Sequence, residues 1–158
     1  QARPFDFKLE TQPSDGIRRF LVGTPPILSL MAVQAGVELV LKAGMGALRA
    51  KSVLQTEFFI ELADDVLAPL GFELVSPRDV AVRGSHVALA HEHALAIDRA
   101  LIAEHRVIPD FRTPDTVRFG MAPLTTSFGD IVKAIEATQT VVQSGSYRAF
   151  EGGAEGVT

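Results

Sequence analysis

The sequence predicts an α+β fold, in which two long helices lead into a small, mainly antiparallel sheet covered by helices. Three observations predict it. Apolar residues repeat at helical spacing in two stretches between about residues 27 and 67. Short β-type runs follow, two of them joined by the tight turn Thr113-Pro114-Asp115. Helical patterns then return between the strand pairs instead of after every strand, which separates the pattern from a parallel α/β sheet. At 158 residues the chain is long enough to bury roughly 70% of its unfolded surface and hold one core.

Residues 1–22 are polar and irregular, with Pro4, Pro13 and a Ser14-Asp15-Gly16 turn, and are expected to form a connector. The chain opens at Gln1 without an initiator methionine, and Ala2 to Phe7 have the character of neither a signal nor a transit peptide, so a longer parent chain is expected. Phe5 and Phe7 alternate with charged residues and suit a surface outside this chain. Thr24 is then placed as an N-cap with Pro25 at the first helical position, where a missing N–H costs nothing. The first helix carries Ile27, Leu28, Leu30, Met31, Val33, Val37, Leu39, Val40 and Leu41 nearly all round and is expected to be buried on most of its circumference.

Gly44 and Gly46 punctuate the helical pattern, and a second helix is expected from about Ala47 to Leu67, stopped by Pro69 and Gly71. Strands are expected at Phe72–Val75 and Ser85–His91, then a helix through Ala94, Ile97, Leu101 and Ile102 that ends near His105. Next comes a hairpin over Asp110–Gly120, with Pro114 suited to the first central position of the turn and Asp115 able to close it through its side chain. Ser127, with Asp130 three residues on, starts a last helix whose apolar face is Phe128, Ile131, Val132, Ile135 and Val142. Domain limits are therefore expected at 1–22 for the connector, 23–143 for the small domain with its leading helices, and 144–158 for a Gly-rich flexible tail.

Composition narrows the functions. A net charge of −4 with 15 scattered basic residues argues against a nucleic-acid partner. The most apolar stretch, Ile27 to Leu41, is interrupted by Ser29, Gln34 and Glu38 and is too short to span a bilayer, so no membrane is expected. There is no cysteine for a disulfide, a thiolate nucleophile or a cysteine-based zinc site, which fits a cytoplasmic location.

Arg118 is the leading candidate site residue. In the alternation Thr116-Val117-Arg118-Phe119 the even positions share one strand face, and a guanidinium there needs an anion or a wet groove. A ligand carboxylate suits it, because the planar fork accepts one through two parallel hydrogen bonds. The plain alternative is an edge-strand arginine in water or paired with Asp110 or Asp115, and Arg112 reads as structural. Thr24 and the backbone of Gly23 form a second candidate, since a helix start attracts phosphate, although Pro25 and Pro26 supply no N–H and an ordinary cap is the simpler reading. His91 and His93 are two apart and could share a strand face toward a metal, with His86 or His105 as a third ligand. No carboxylate stands at ligand spacing, and no metal site is expected.

Several segments together resemble the C-terminal part of kynureninase. They are Gly16-Ile17-Arg18-Arg19-Phe20-Leu21-Val22-Gly23-Thr24-Pro25-Pro26-Ile27-Leu28, Leu48-Arg49-Ala50-Lys51-Ser52, Arg83-Gly84-Ser85-His86, the Asp110–Arg118 hairpin, and Ala122-Pro123-Leu124 with Ser127-Phe128. The resemblance runs from about Arg3 to Val142. It implies the small domain of an aminotransferase-fold enzyme that works as a homodimer with pyridoxal 5'-phosphate and hydrolyses L-kynurenine, an amino-acid substrate, to anthranilate and L-alanine. It implies that Arg118 grips the substrate α-carboxylate and that Thr24, beside Gly23, contacts the cofactor phosphate. It also implies a large domain upstream holding the cofactor-anchoring lysine in a Tyr-Lys setting, which none of Lys8, Lys42, Lys51 and Lys133 has. No catalytic residue is therefore expected in this stretch, and the stretch alone is expected to be inactive. Two other readings stay open: a desulfurase-like enzyme of the same fold, and a stand-alone α+β module that binds an amino acid through Arg118.

Overall fold

The computed structural model describes residues 9–10, 12–21 and 23–152. Phe5, Phe7 and the tail from residue 153 lie outside the described residues, as does much of the expected connector. Internal contacts divide the chain into two compact units, residues 1–42 and 43–158, so the division falls between the two long helices and not at residue 23.

The first unit holds a short 3-10 turn, Gly16–Phe20, and helix α1, Ile27–Ala43. The first helical bond runs from the Leu30 N–H to the Pro26 carbonyl at 3.0 Å, so the helix starts later than a Thr24 cap would place it. The second proline is the reason. Thr24 and Pro25 each precede a proline, which disfavours the helical backbone at both, and the helix waits until Ile27. None of the α1 residues is buried, contrary to the burial expected all round this helix. Its apolar side chains, Leu28 and Leu41 among them, are exposed.

The second unit begins with α2, Met45–Leu62. Gly44 alone interrupts the helical run, with φ of 79°, a region only glycine visits readily, while Gly46 sits inside the helix. A π-helical turn, Ala63–Leu67, and a 3-10 turn, Ala68–Leu70, extend α2 to Gly71, whose φ of 95° provides the stop that the Pro69/Gly71 pair predicts. Four strands follow: β1 (Glu73–Leu74), β2 (His86–Ala90), β3 (Asp110–Arg112) and β4 (Thr116–Gly120). They form one sheet in the order β1-β2-β4-β3, and every pairing is antiparallel. Between β2 and β3 lies α3, Ala94–Ala100, continued by a π-helical turn, Leu101–His105. The hairpin turn contains a cis Thr113–Pro114 peptide. The Asp115 carbonyl accepts the His91 N–H at 2.9 Å, which ties that turn to the exit of β2.

Helix α4, Phe128–Ser144, starts in the predicted capping box. The Asp130 N–H donates to Ser127 Oγ at 3.1 Å, and the Ser127 N–H donates to Asp130 Oδ2 at 2.9 Å. Residues 145–150, expected to belong to a flexible tail, are structured. Gly145, at φ of 70°, turns the chain into a 3-10 segment, Ser146–Phe150, that packs on α3 and buries Tyr147. The gain is aromatic burial, with the Tyr147 ring 4.9 Å from His93.

Helices α2 and α3 pack on the sheet and α4 packs on both of them, and the core is Phe59, Leu67, Val87, Leu89, Ile97, Leu101, Val117, Ile131 and Val141 with their neighbours. Strand β4 shows the underlying alternation, with Val117 and Phe119 buried and Thr116 and Arg118 half-buried on the opposite side. Polar side chains join α2 to the loops around it. Lys51 Nζ donates to the carbonyls of Pro123 at 2.7 Å and Thr126 at 3.0 Å, Gln55 donates to Thr126 at 2.8 Å, and Ser52 and Ser85 share a 2.6 Å hydrogen bond. Arg83, buried, donates to Thr56 Oγ1 at 3.2 Å and to the Pro77 and Arg78 carbonyls.

The π turn after α3 ends at Arg106, whose φ of 56° and ψ of 26° put an L-configured residue with a Cβ in the left-handed region. Glycine tolerates that conformation without the Cβ penalty. Arg106→Gly is therefore expected to raise the unfolding free energy by about 0.5–1 kcal/mol. A urea midpoint unchanged or lowered by this substitution would contradict it.

Candidate functional site

Arg118 stands at the middle of β4, paired with Ala88 of β2 on one side and Asp110 of β3 on the other. Cross-strand partners in an antiparallel pair face the same way, so the guanidinium has a methyl group on one flank and a carboxylate on the other. It takes the carboxylate: Arg118 Nη2 donates to Asp110 Oδ2. Arg112, two residues from Asp110 on the same strand face, donates to the same oxygen at 2.8 Å. Side-chain exposure is 34% for Arg118 and 28% for Asp110, so solvent screens the pair and its contribution to stability is about 0–1 kcal/mol. The pairing with Asp110 named in the plain sequence reading is thus realised. It engages Arg118 through one nitrogen and leaves the rest of the fork facing a half-open surface.

Gly23 and Thr24 are exposed and belong to the first unit, whereas Arg118 belongs to the second. The donor set there, a hydroxyl and backbone N–H groups, has the chemistry a phosphate requires. Among the described residues the lysines do not offer a comparable cofactor anchor. Lys51 is committed to two backbone carbonyls, and Lys42 and Lys133 are exposed side chains on helices.

The histidines serve the fold. His91 Nδ1 accepts the His93 N–H at 3.0 Å and His91 Nε2 faces the Leu70 carbonyl at 3.2 Å, so both ring nitrogens are engaged. Burial is the main cause lowering the His91 pKa, and a lowered histidine pKa means stability present above about pH 6.5 that is lost as pH falls through the folded value. No cluster of three or more potential metal ligands occurs among the described residues.

Residues 48–138, more than half of the chain, match the kynureninase C-terminal domain. The chain belongs to the kynureninase family. It is 41% identical over 141 residues to the kynureninase of Deinococcus radiodurans, an alignment covering 89% of this chain and 34% of that protein. The kynureninase of Pseudomonas fluorescens is 41% identical over 135 residues, covering 85% and 32%. That of Burkholderia mallei is 37% identical over 148 residues, covering 94% and 35%. The chain thus spans about a third of the length of the relatives it matches. The region matching the kynureninase domain includes Arg112, Asp110 and Arg118, while Gly23 and Thr24 precede it. This membership sets the desulfurase-like reading aside.

One charged residue near the arginine pair escaped the sequence reading. Asp98 on α3 is fully buried, and neither carboxylate oxygen has a hydrogen-bond partner. The signal was present: Ala94, Ile97, Asp98 and Leu101 follow the i, i+3, i+4, i+7 spacing of one helical face, so the carboxylate lies on the apolar stripe. Burial first, and then the negative charge of Asp110, raise its pKa from 3.8 to about 6, against the opposing effect of Arg99. A folded pKa above the unfolded one costs stability as pH rises from about 4 through about 6, reaching at most about 3 kcal/mol near neutrality. Asp98→Asn, which is isosteric and does not titrate, is expected to stabilise the chain by up to about 3 kcal/mol near neutral pH. The gain should shrink toward about pH 3, where the carboxyl is mostly protonated in both states. Chemical denaturation at the two pH values tests this, and a gain independent of pH would count against the buried charge as its source.

Proposed function

We propose that this chain is the C-terminal part of a cytoplasmic, homodimeric, pyridoxal 5'-phosphate-dependent hydrolase that converts L-kynurenine and water to anthranilate and L-alanine in tryptophan degradation. The observation that carries this reading is Arg118, held in mid-strand on the half-open sheet face with most of its guanidinium unengaged.

The residues of this chain act by placement. The Arg118 fork takes the substrate α-carboxylate through two parallel hydrogen bonds, which fixes the orientation of the amino acid about Cα. Buried Val117 and Phe119 on either side hold the strand, so the arginine is positioned by the core behind it. Gly23 and Thr24 would contribute N–H and hydroxyl donors to the phosphate of pyridoxal phosphate. When bound, that cofactor supplies the electron sink for the chemistry. The group that anchors it covalently belongs to the rest of the enzyme in this reading, because Lys51 is held by carbonyls and no lysine here has a Tyr-Lys setting. The exposed apolar side chains of α1 support a homodimer and a large domain as the surfaces that cover them.

Two outcomes are expected. In the full-length enzyme Arg118→Ala lowers kcat/KM for L-kynurenine by roughly 30-fold or more, the scale of removing one partner of a hydrogen-bonded charge pair. An unchanged KM and turnover would remove the role assigned to Arg118. The 158-residue chain, mixed with pyridoxal phosphate and freed of excess, retains no visible absorption band and does not hydrolyse kynurenine. In the same sample, light scattering should find self-association or a hydrophobic dye should find exposed surface, and a strict monomer that binds no dye would oppose the part assigned to α1.

A further inference from the structure

The contacts of Asp64 and Asp110 with their arginines differ in a way that bears on the candidate site. Arg78 and Asp64 meet fork to fork, Nη1 to Oδ2 and Nη2 to Oδ1, both at 2.8 Å, so each group uses two atoms on the other. Arg118 meets Asp110 end-on, through Nη2 and Oδ2 alone, and Arg112 shares that same oxygen. No other described residue accepts from Arg118, so Nε, Nη1 and the second N–H of Nη2 remain for an incoming anion. The arrangement is written into the strand register. Asp110 is the direct cross-strand partner of Arg118, Arg112 follows on the same face, and the other flank offers only Ala88.

We propose that Asp110 is a positioning residue for Arg118, holding one end of the guanidinium so that its free edge is preset for the substrate carboxylate, while Arg112 balances the charge of Asp110. Two arginines on one carboxylate leave the trio with one net positive charge, matched to a single anionic group. A free arginine samples many rotamers, and an interaction that orders it before binding removes that cost from the binding step. A fork-to-fork partner would saturate the guanidinium and compete with the ligand. The single contact takes one N–H of Nη2 and leaves the other N–H of that nitrogen to complete an open edge of the fork. The proposal rests on the reading of Arg118 as the carboxylate-binding group.

A double-mutant cycle in the full-length enzyme, assayed with L-kynurenine, tests it. Asp110→Asn is expected to raise KM roughly tenfold with kcat within about twofold, and to leave the thermal midpoint near that of the parent because the pair is solvent-screened. Placed on Arg118→Ala, the same substitution should change KM by less than about twofold, since there is no longer a guanidinium to orient. An equal loss in both backgrounds would mean that Asp110 serves the fold and would overturn the proposal. So would an unchanged KM, or a lowered one, the latter meaning that Asp110 competes with the substrate. If Arg118→Ala itself leaves kcat/KM unchanged, the carboxylate reading fails, and this proposal with it. Where Asp110→Asn does not give folded protein, Asp110→Glu carries the same cycle under the same criteria.

Discussion

The pairing of β4 between β2 and β3 is the constraint on which the rest of the second unit depends. Its register buries Val117 and Phe119 against the helices and turns Arg118 to the other face. Because side chains alternate along a strand, a slip of one residue would place the guanidinium in the core and the two apolar side chains outside. The cost of a buried, unpaired charge enforces the register as firmly as the apolar burial does. Core and site are therefore two readings of one alignment.

Electrostatics around that strand are uneven. Asp110 sits at the partly wet edge, shared by two arginines, and its exposure keeps the interaction weak in energy while its geometry stays defined. Asp98, a short distance away in electrostatic terms, is a carboxylate that the apolar interior tolerates at a cost. The same residue type thus acts as an orienting group where water screens it and as a liability where burial removes the water. The two units of the chain divide the candidate ligand groups as well, Gly23 and Thr24 in the first, Arg118 in the second.

Much of this was legible in the sequence because it is local. Ser127 and Asp130 make their capping box within one turn, Gly71 stops a helix by its own backbone freedom, and the alternation at 116–119 states which side of β4 is buried. What was misread depended on neighbours or on a rule that local pattern obscured. Thr24 looked like a cap, but Pro26 delays the helix it would have capped. The helix end expected near His105 is where the structure puts it, but the left-handed backbone that Arg106 adopts there carries no signal in the sequence. The residues after Ser144 look like a tail until α3 offers a surface for Tyr147. The strand order β1-β2-β4-β3 puts β4 between two strands that are separated by a helix in sequence, which no window of residues reveals.

The polar seam along α2 has a consequence for classification. Lys51 and Ser52 bond to Pro123, Thr126 and Ser85, and Arg83 bonds to Thr56 and to nearby carbonyls, so the segments at 48–52, 83–86 and 122–124 by which the chain resembles its relatives act as cross-braces of the scaffold. The side chains of Lys51, Ser52, Arg83 and Ser85 are occupied within it. A descendant that lost its chemistry would still need these braces to stand, and would carry the same signature. Such motifs report ancestry and architecture, whereas the evidence for a working enzyme has to be sought in the few groups, Arg118 foremost, that the scaffold holds without using up.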